Sequence, residues 1–221
     1  MITSASNPKL RLLRRLLESR RQREKEGLFA CEGEDLIDAA SAAGIEPVEQ
    51  FIAGVDVEES LLAAVSTLAH PPRVVGIYRR TDLPGGTRDL TLALWHVGDP
   101  GNVGTLVRTA DAFGAGLALS AGCADPTGPK ALRASAGAIF RVPVARFDDA
   151  PRPWVALVAR GGGPLGAAAG TYVLGAEREG LPGDVLARCD ARATIAIAPE
   201  SESLNVALAG AIALYEARRR G

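Results

Sequence analysis

Apolar positions along the chain recur at two spacings that alternate, and each spacing predicts a different element. From Ser6 to about Arg23, Leu10, Leu13, Leu16 and Leu17 fall on one face behind an Asn7-Pro8 start signal, which predicts an amphipathic helix with a basic outer face. Short apolar runs follow at residues 28–31, 48–53 and 74–78, separated by helical patterns at 34–43 and 58–69. This predicts a small α/β unit over residues 1–80. Residues 81–90 contain Pro84-Gly85-Gly86 and read as a linker, so a second domain is expected over 91–221.

That second part repeats the pattern with stronger strands, at residues 92–97, 116–120, 142–147, 155–159, 172–174 and 194–198. Helical patterns lie between and after them at 103–113, 129–138, 182–188 and 204–219. Strands joined through helices favour a parallel sheet covered on both faces, so the expected class is α/β. Ligands of such sheets collect in the loops after the strands' carboxyl ends.

Composition adds exclusions. At 47% hydrophobic and 23% charged residues the chain has the makeup of a packed globular protein, not of a disordered one. No apolar run reaches the roughly 18 residues of a membrane span, and the start has no signal core, so a cytosolic location and no membrane partner are expected. Cys31, Cys123 and Cys189 are far apart and outside any CxxC pattern, which suggests neither a disulfide framework nor a thiolate metal site. His70 and His96 have no second ligand at metal spacing, so no metal is expected.

The net charge of −1 would argue against a nucleic-acid partner only if it were evenly spread. It is not. Residues 1–26 carry Lys9, Arg11, Arg14, Arg15, Arg20, Arg21, Arg23 and Lys25 against Glu18, Glu24 and Glu26, which leaves the remainder acidic. Such a face is either simply solvated or in contact with RNA phosphates. The excess favours the second, with Arg14, Arg15, Arg20 and Arg21 as candidates.

Three loops carry unusual residues. The first, Gly98 to Gly104, joins a strand to a helix whose apolar stripe of Val103, Leu106, Val107, Ala110 and Phe113 leaves Arg108 exposed. An exposed arginine near a Gly-rich helix start can grip an anion, although a Gly-Pro turn capped by asparagine also makes ordinary connections. The second, Tyr172 to Pro182, sets Gly175 at a strand end, where a ligand could approach the backbone, and Glu177 two residues later. The third, Ile195 to Val206, places Ser203 where an N-cap is expected and leaves Asn205 as a polar amide that needs a partner.

Together these loops resemble, in order, the three signature motifs of the SpoU family of RNA 2'-O-methyltransferases, within the knotted SPOUT superfamily. The first motif reads Asp99-Pro100-Gly101-Asn102-Val103-Gly104 and runs through Arg108 to Gly114, continuing at Pro129 to Ala138. The second is Leu174-Gly175-Ala176-Glu177 with Gly180-Leu181, and the third is Ser203-Leu204-Asn205-Val206 before an alanine-rich helix. Ser6-Asn7-Pro8-Lys9, Phe29 and Glu32-Gly33 also look like the small L30e-like RNA-binding domain attached to many members. The chain departs from the family pattern at Ala176, where asparagine is common, and at Ala196 and Ala198-Pro199.

The resemblance implies an α/β knot domain preceded by an L30e-like domain. It implies S-adenosylmethionine as methyl donor, held at Gly175, Ile195 and Leu204. It gives Arg108 the acceptor side, with Asn102, Glu177, Ser203 and Asn205 completing the pocket, and assigns Lys130, Arg133 and Ser135 to RNA phosphates. It further implies a homodimer in which the arginine often completes the partner's site. Since a guanidinium with a pKa above about 12 is a poor base, Arg108 is expected to orient and to stabilise charge. Ribosomal RNA is the leading substrate and transfer RNA the alternative. A non-catalytic RNA-binding protein of the same fold is a second reading. A small-molecule enzyme that binds a nucleotide is a third, weakened by the lack of GxGxxG or P-loop motifs.

Overall fold

The computed structural model describes residues 1–166 and 170–220, with the side chain of Arg220 outside the description. Helix α1 (Pro8–Glu18) starts where Asn7 accepts a hydrogen bond from the Lys9 N–H at 2.9 Å, and it buries Leu10, Leu13, Leu16 and Leu17. The expected helix to Arg23 is in fact two. Ser19 turns extended, with φ −128°, and its hydroxyl caps a second helix, α2 (Arg20–Glu26), by accepting from the Gln22 N–H. Gly27, at φ +65°, ends α2 in the left-handed conformation that glycine adopts freely.

The remaining N-terminal elements are β1 (Leu28–Glu32), α3 (Glu34–Ala42), β2 (Glu49–Ile52), α4 (Glu59–Val65) and β3 (Val74–Arg79). The strands form an antiparallel sheet in the order β1-β3-β2. The helix expected at 58–69 stops at Val65 because Ser66 and Thr67 leave it to donate to the buried Glu32 carboxylate. Side chains alternate across this sheet. Ala30, Val75 and Ile77 face α1 and α4, whereas Phe29, Cys31 and Tyr78 face the C-terminal part of the chain.

The C-terminal elements are β4 (Thr91–Leu94), α5 (Pro100–Ala112), β5 (Gly116–Leu119), α6 (Pro129–Ser135), β6 (Val144–Arg146), β7 (Trp154–Leu157), β8 (Gly163–Pro164), β9 (Thr171–Leu174), α7 (Gly183–Ala187), β10 (Ala191–Thr194) and α8 (Val206–Arg220). The seven strands form the expected parallel sheet, in the order β6-β5-β4-β9-β7-β10-β8. The chain grows outward from β4 through β5 to β6, then crosses to build the other side. The junction of β4 with β9 is therefore the topological switch, where ligands of open α/β sheets collect.

Three of the differences from the sequence expectation bear on the site. The strand placed at 194–198 lies at Ala191–Thr194, where its backbone pairs with Val155, Ala156 and Leu157, so Ile195 to Ala198 belong to a loop. The strand placed at 92–97 ends at Leu94 because His96 takes a positive φ of 54°. The helix placed at 129–138 ends at Ser135, followed by Ala136 at φ 47° and Gly137 at φ 79°.

The two sheets share one core. Phe29 and Tyr78 pack their rings against Phe140, with centroids 6.3 and 5.7 Å apart, in a cluster that continues through Leu132 and Ile139 to α5 and α8. At roughly 1.5–3 kcal/mol per buried large side chain, this contact contributes several kcal/mol to holding the sheets together. Arg80, just before the expected linker, adds a polar anchor by donating to the Thr127 hydroxyl at 2.7 Å. Among the described residues no helix is long and apolar enough to cross a membrane.

Candidate active site

At the switch point the first loop is organised by Asp99. Its carboxylate, and not an asparagine, caps α5 by accepting from the Asn102 N–H at 3.0 Å, and Pro100 fills the first helical position. The Asn102 amide is thereby left for other work. It donates through Nδ2 to Glu177 Oε1 at 2.9 Å and accepts at Oδ1 from Asn205 Nδ2 at 3.1 Å. One amide thus joins all three loops.

The direction of this chain of bonds is fixed from one end. Asn205 caps α8, with Oδ1 accepting from the Ala207 and Leu208 N–H groups at 2.8 and 3.4 Å, so its Nδ2 must be the group that meets Asn102. That orients Asn102, whose Nδ2 then faces a carboxylate that can only accept. The cap expected at Ser203 is corrected accordingly: Ser203 is exposed and lies two residues before the capping position.

Beside this cluster lies a cavity of about 550 Å³ at the carboxyl ends of β7 and β9. Gly175, Ile195 and Leu204 line it together, and so do Glu177, Ser203 and Asn205. Leu157, Leu174 and Ile197 add apolar wall, while Arg178 and Glu202 bring charge. Sequence reasoning missed these five, although all but Leu157 adjoin residues already singled out. Between Ala196 and Leu204, among the described residues, the one backbone N–H that donates to another backbone group is that of Ser201, to Ala198. Of the remainder, Ile197, Glu202, Ser203 and Leu204 line the cavity, with no backbone partner for their N–H groups among the described residues.

Gly175 also has a structural role beside its place in the cavity wall. A Cβ there would lie 2.2 Å from the Gly180 carbonyl carbon, so glycine is required by the returning turn, which the Gly180 N–H closes onto Ala176 O at 2.9 Å.

Residues 89–215 match the model of the SpoU rRNA Methylase family. A tRNA/rRNA methyltransferase of Synechocystis sp. is 32% identical over 99% of this chain and 93% of its own length. The chain belongs to the SpoU methylase family. The 23S rRNA (guanosine(2553)-2'-O)-methyltransferase RlmP of Bacillus subtilis is 29% identical over 98% of both chains. Among solved structures, the AdoMet-bound rRNA methyltransferase of Sinorhizobium meliloti superposes with a TM-score of 0.86, at 29% identity, over 99% of this chain and 97% of that one.

Not every residue singled out in this SpoU methylase reaches the cavity. Arg108 sits on the exposed face of α5, is not part of the cavity wall, and has no partner among the described residues. Lys130 reaches the site only indirectly, by donating to Asp99 Oδ2 at 2.8 Å, and this bond holds the Asp99 carboxyl below its ordinary range. Arg133 is half-engaged, donating to the Thr67 hydroxyl at 3.0 Å with Glu32 at 3.8 Å.

Two of the residues expected to contact phosphate have partners within the chain. Ser135 is buried and donates to Leu132 O at 2.8 Å, so packing of α6 withholds it from any phosphate. Arg20 is bound to Glu24 and to Cys123 O, both at 2.7 Å, which makes it a strut between the N-terminal helices and the C-terminal sheet. Arg14, Arg15 and Arg21 remain exposed, Arg14 with a long contact of 3.5 Å to Ala64 O.

Proposed function

We propose that this SpoU methylase transfers a methyl group from S-adenosylmethionine to a ribose 2'-hydroxyl of ribosomal RNA, in the cytoplasm, as a homodimer. The observation that carries the reading is the Asn205-Asn102-Glu177 chain of hydrogen bonds, which binds three loops into one polar rim on one cavity. The cavity suits the donor. Its volume of about 550 Å³ is within the range of small-molecule sites, its floor is apolar, and the loop from Ala196 to Leu204 offers unpaired backbone donors. Gly175, Ile195 and Leu204 would hold the donor there. When bound, its sulfonium supplies an electrophilic methyl group.

The chain's own residues then have to present and deprotonate the acceptor. Ser203 and the Asn102 and Asn205 amides can orient a ribose hydroxyl by hydrogen bonding. Glu177 Oε1 is occupied by Asn102, while Oε2 has no partner among the described residues and can take the proton. Arg108 cannot act as a base, but as an unpaired guanidinium it can grip the adjacent phosphate and stabilise the developing alkoxide.

Arg108 lies outside its own cavity, so it would serve a second copy. α8 supports that arrangement. Leu208, Ile212 and Tyr215 form an i, i+4, i+7 stripe that is 58%, 38% and 57% exposed, and α8 packs beside α5. A second copy covering this stripe would bring Arg108 near the partner's rim. In this reading residues 1–80 grip RNA through Arg14, Arg15 and Arg21, with Lys130 and Arg133 at the junction, and residues 91–221 carry out the chemistry.

The test is to incubate the purified protein with methyl-labelled S-adenosylmethionine and either ribosomal subunits or transfer RNA, then to digest the RNA and identify the labelled nucleoside. Label in a 2'-O-methylnucleoside of ribosomal RNA is the expected result. Label only in transfer RNA would move the substrate, and label on a base would overturn the ribose assignment.

A further inference from the structure

One residue outside the described cluster is held in a way that folding alone does not account for. His96 has φ 54°, a left-handed conformation that a glycine would adopt without cost. Successive side chains on an extended strand point to opposite faces, and the positive φ instead swings His96 alongside Trp95. Their rings stack with centroids 4.8 Å apart and planes 3° from parallel. The other face of the imidazole lies against Gly122, where a Cβ would come within 2.5 Å of the ring.

The backbone beneath is pinned as well. The His96 N–H donates to Ser120 Oγ at 2.9 Å, and Arg20 braces the same turn through Cys123 O. Yet the residue is exposed, and neither ring nitrogen has a partner among the described residues. A strained backbone and two covered faces leave one free element, the nitrogen-bearing edge. That edge stands three residues before Asp99, which caps the helix of Asn102 and holds Lys130.

We propose that the His96 ring edge is an RNA contact, hydrogen-bonding the nucleotide that flanks the methylated one, at either a base edge or a phosphate oxygen. Trp95 and Gly122 act as positioning residues that keep the imidazole flat. The inference rests on the RNA methyltransferase reading above.

Two variants test it, with an in vitro transcript of the ribosomal RNA that the wild type methylates. His96→Gly keeps the backbone conformation and removes the ring; Gly122→Ala keeps the ring and displaces it. Both should raise KM for the transcript roughly three- to tenfold, the worth of about one hydrogen bond, with kcat and donor affinity unchanged. His96→Asn, which tolerates the same φ and retains an amide edge, should recover part of the loss. A reduced salt dependence of transcript binding in His96→Gly would assign the contact to phosphate, and an unchanged slope to a base.

Unchanged KM in both folded variants overturns the proposal. So does a shift in oligomeric mass, which would place His96 in a subunit contact, or a loss of donor affinity, which would place it in the cavity. Absence of methylation by the wild type would instead refute the underlying function, so the two failures are distinguishable.

Discussion

Two polar clusters tie remote parts of this chain together, and they are built in opposite ways. Where the N-terminal helices meet the C-terminal sheet, Arg23 and Asp125 pair at 2.7 Å with side chains 7% and 4% exposed. Arg80 adds a second cation, the Thr127 N–H and hydroxyl donate to the same carboxylate, and Arg23 also donates to Leu16 O. Both carboxylate oxygens are engaged, Oδ2 by Arg23 and Oδ1 by Arg80 and Thr127. Where the three loops meet at the cavity, Asn102, Glu177 and Asn205 are joined by two bonds, and one Glu177 oxygen has no partner among the described residues. A saturated, buried network fixes geometry, while an open one at a cavity retains capacity for substrate.

The buried network is most vulnerable at Arg23. Arg23→Ala strands a buried carboxylate and should cost about 3–5 kcal/mol in a urea unfolding experiment. Burial alone would raise the Asp125 carboxyl, but the hydrogen bonds from Arg23 and Thr127 and the charge of Arg80 hold it below its ordinary value. Because the folded value is the lower one, this contribution is complete above the unfolded value of about 3.9 and is lost as pH falls through the folded value. Acid unfolding should accordingly begin at a higher pH in Arg23→Gln than in the wild type. A loss below about 1 kcal/mol in Arg23→Ala would show that the pair is no more than a surface ion pair.

Arg108 sharpens the contrast because it belongs to neither network. Arg108→Ala should leave stability and donor affinity near wild type and lower the single-turnover methylation rate about 10²–10³-fold, the range for loss of one group that stabilises transition-state charge. Mixed dimers of Arg108→Ala with a Glu177→Gln chain should regain activity if the arginine serves the partner's site. Equal loss of donor binding would make Arg108 a structural residue.

Asn205 both caps α8 and joins the rim, so its replacement should have a modest effect on stability as well as an effect on activity. Asn205→Ala removes the α8 cap and should cost about 1 kcal/mol. Asn205→Asp caps as well as asparagine but offers Asn102 an oxygen where it had a donor. Thermal midpoints should therefore separate the two variants while both lose methylation. Wild-type activity in Asn205→Asp would show that the rim cluster is only a helix cap.

Much of the fold was legible because burial on both faces makes the parallel strands apolar. Leu92, Ala93 and Leu94 on β4 are all buried, and the run announces itself. The strand Ala191–Thr194 was read three residues late because Arg192 interrupts it, whereas Ile195 and Ile197 give a strand-like alternation that in fact lines the cavity. The helix break at Ser19 was hidden because Arg20 to Glu26 continue a polar helical pattern.

At the site, the motif residues Asn102, Glu177, Ser203 and Asn205 do come together, which their order along the chain suggested and their spacing alone did not show. What sequence could not supply was each partner's identity. Arg20 looked like a phosphate contact because Cys123 lies about a hundred residues away, and Ser135 looked available until the packing of α6 buried it.

Enclosure of one methyl-donor site by three loops is open to direct measurement. Calorimetric titration of S-adenosylmethionine into the wild type and into Ala159→Trp tests it most directly, because Ala159 is an exposed residue of the cavity wall, where a large ring fills the space without entering the core. The wild type should bind one donor per chain, and Ala159→Trp should bind at least about tenfold more weakly at an unchanged thermal midpoint. Equal affinity in the two folded proteins would contradict the account.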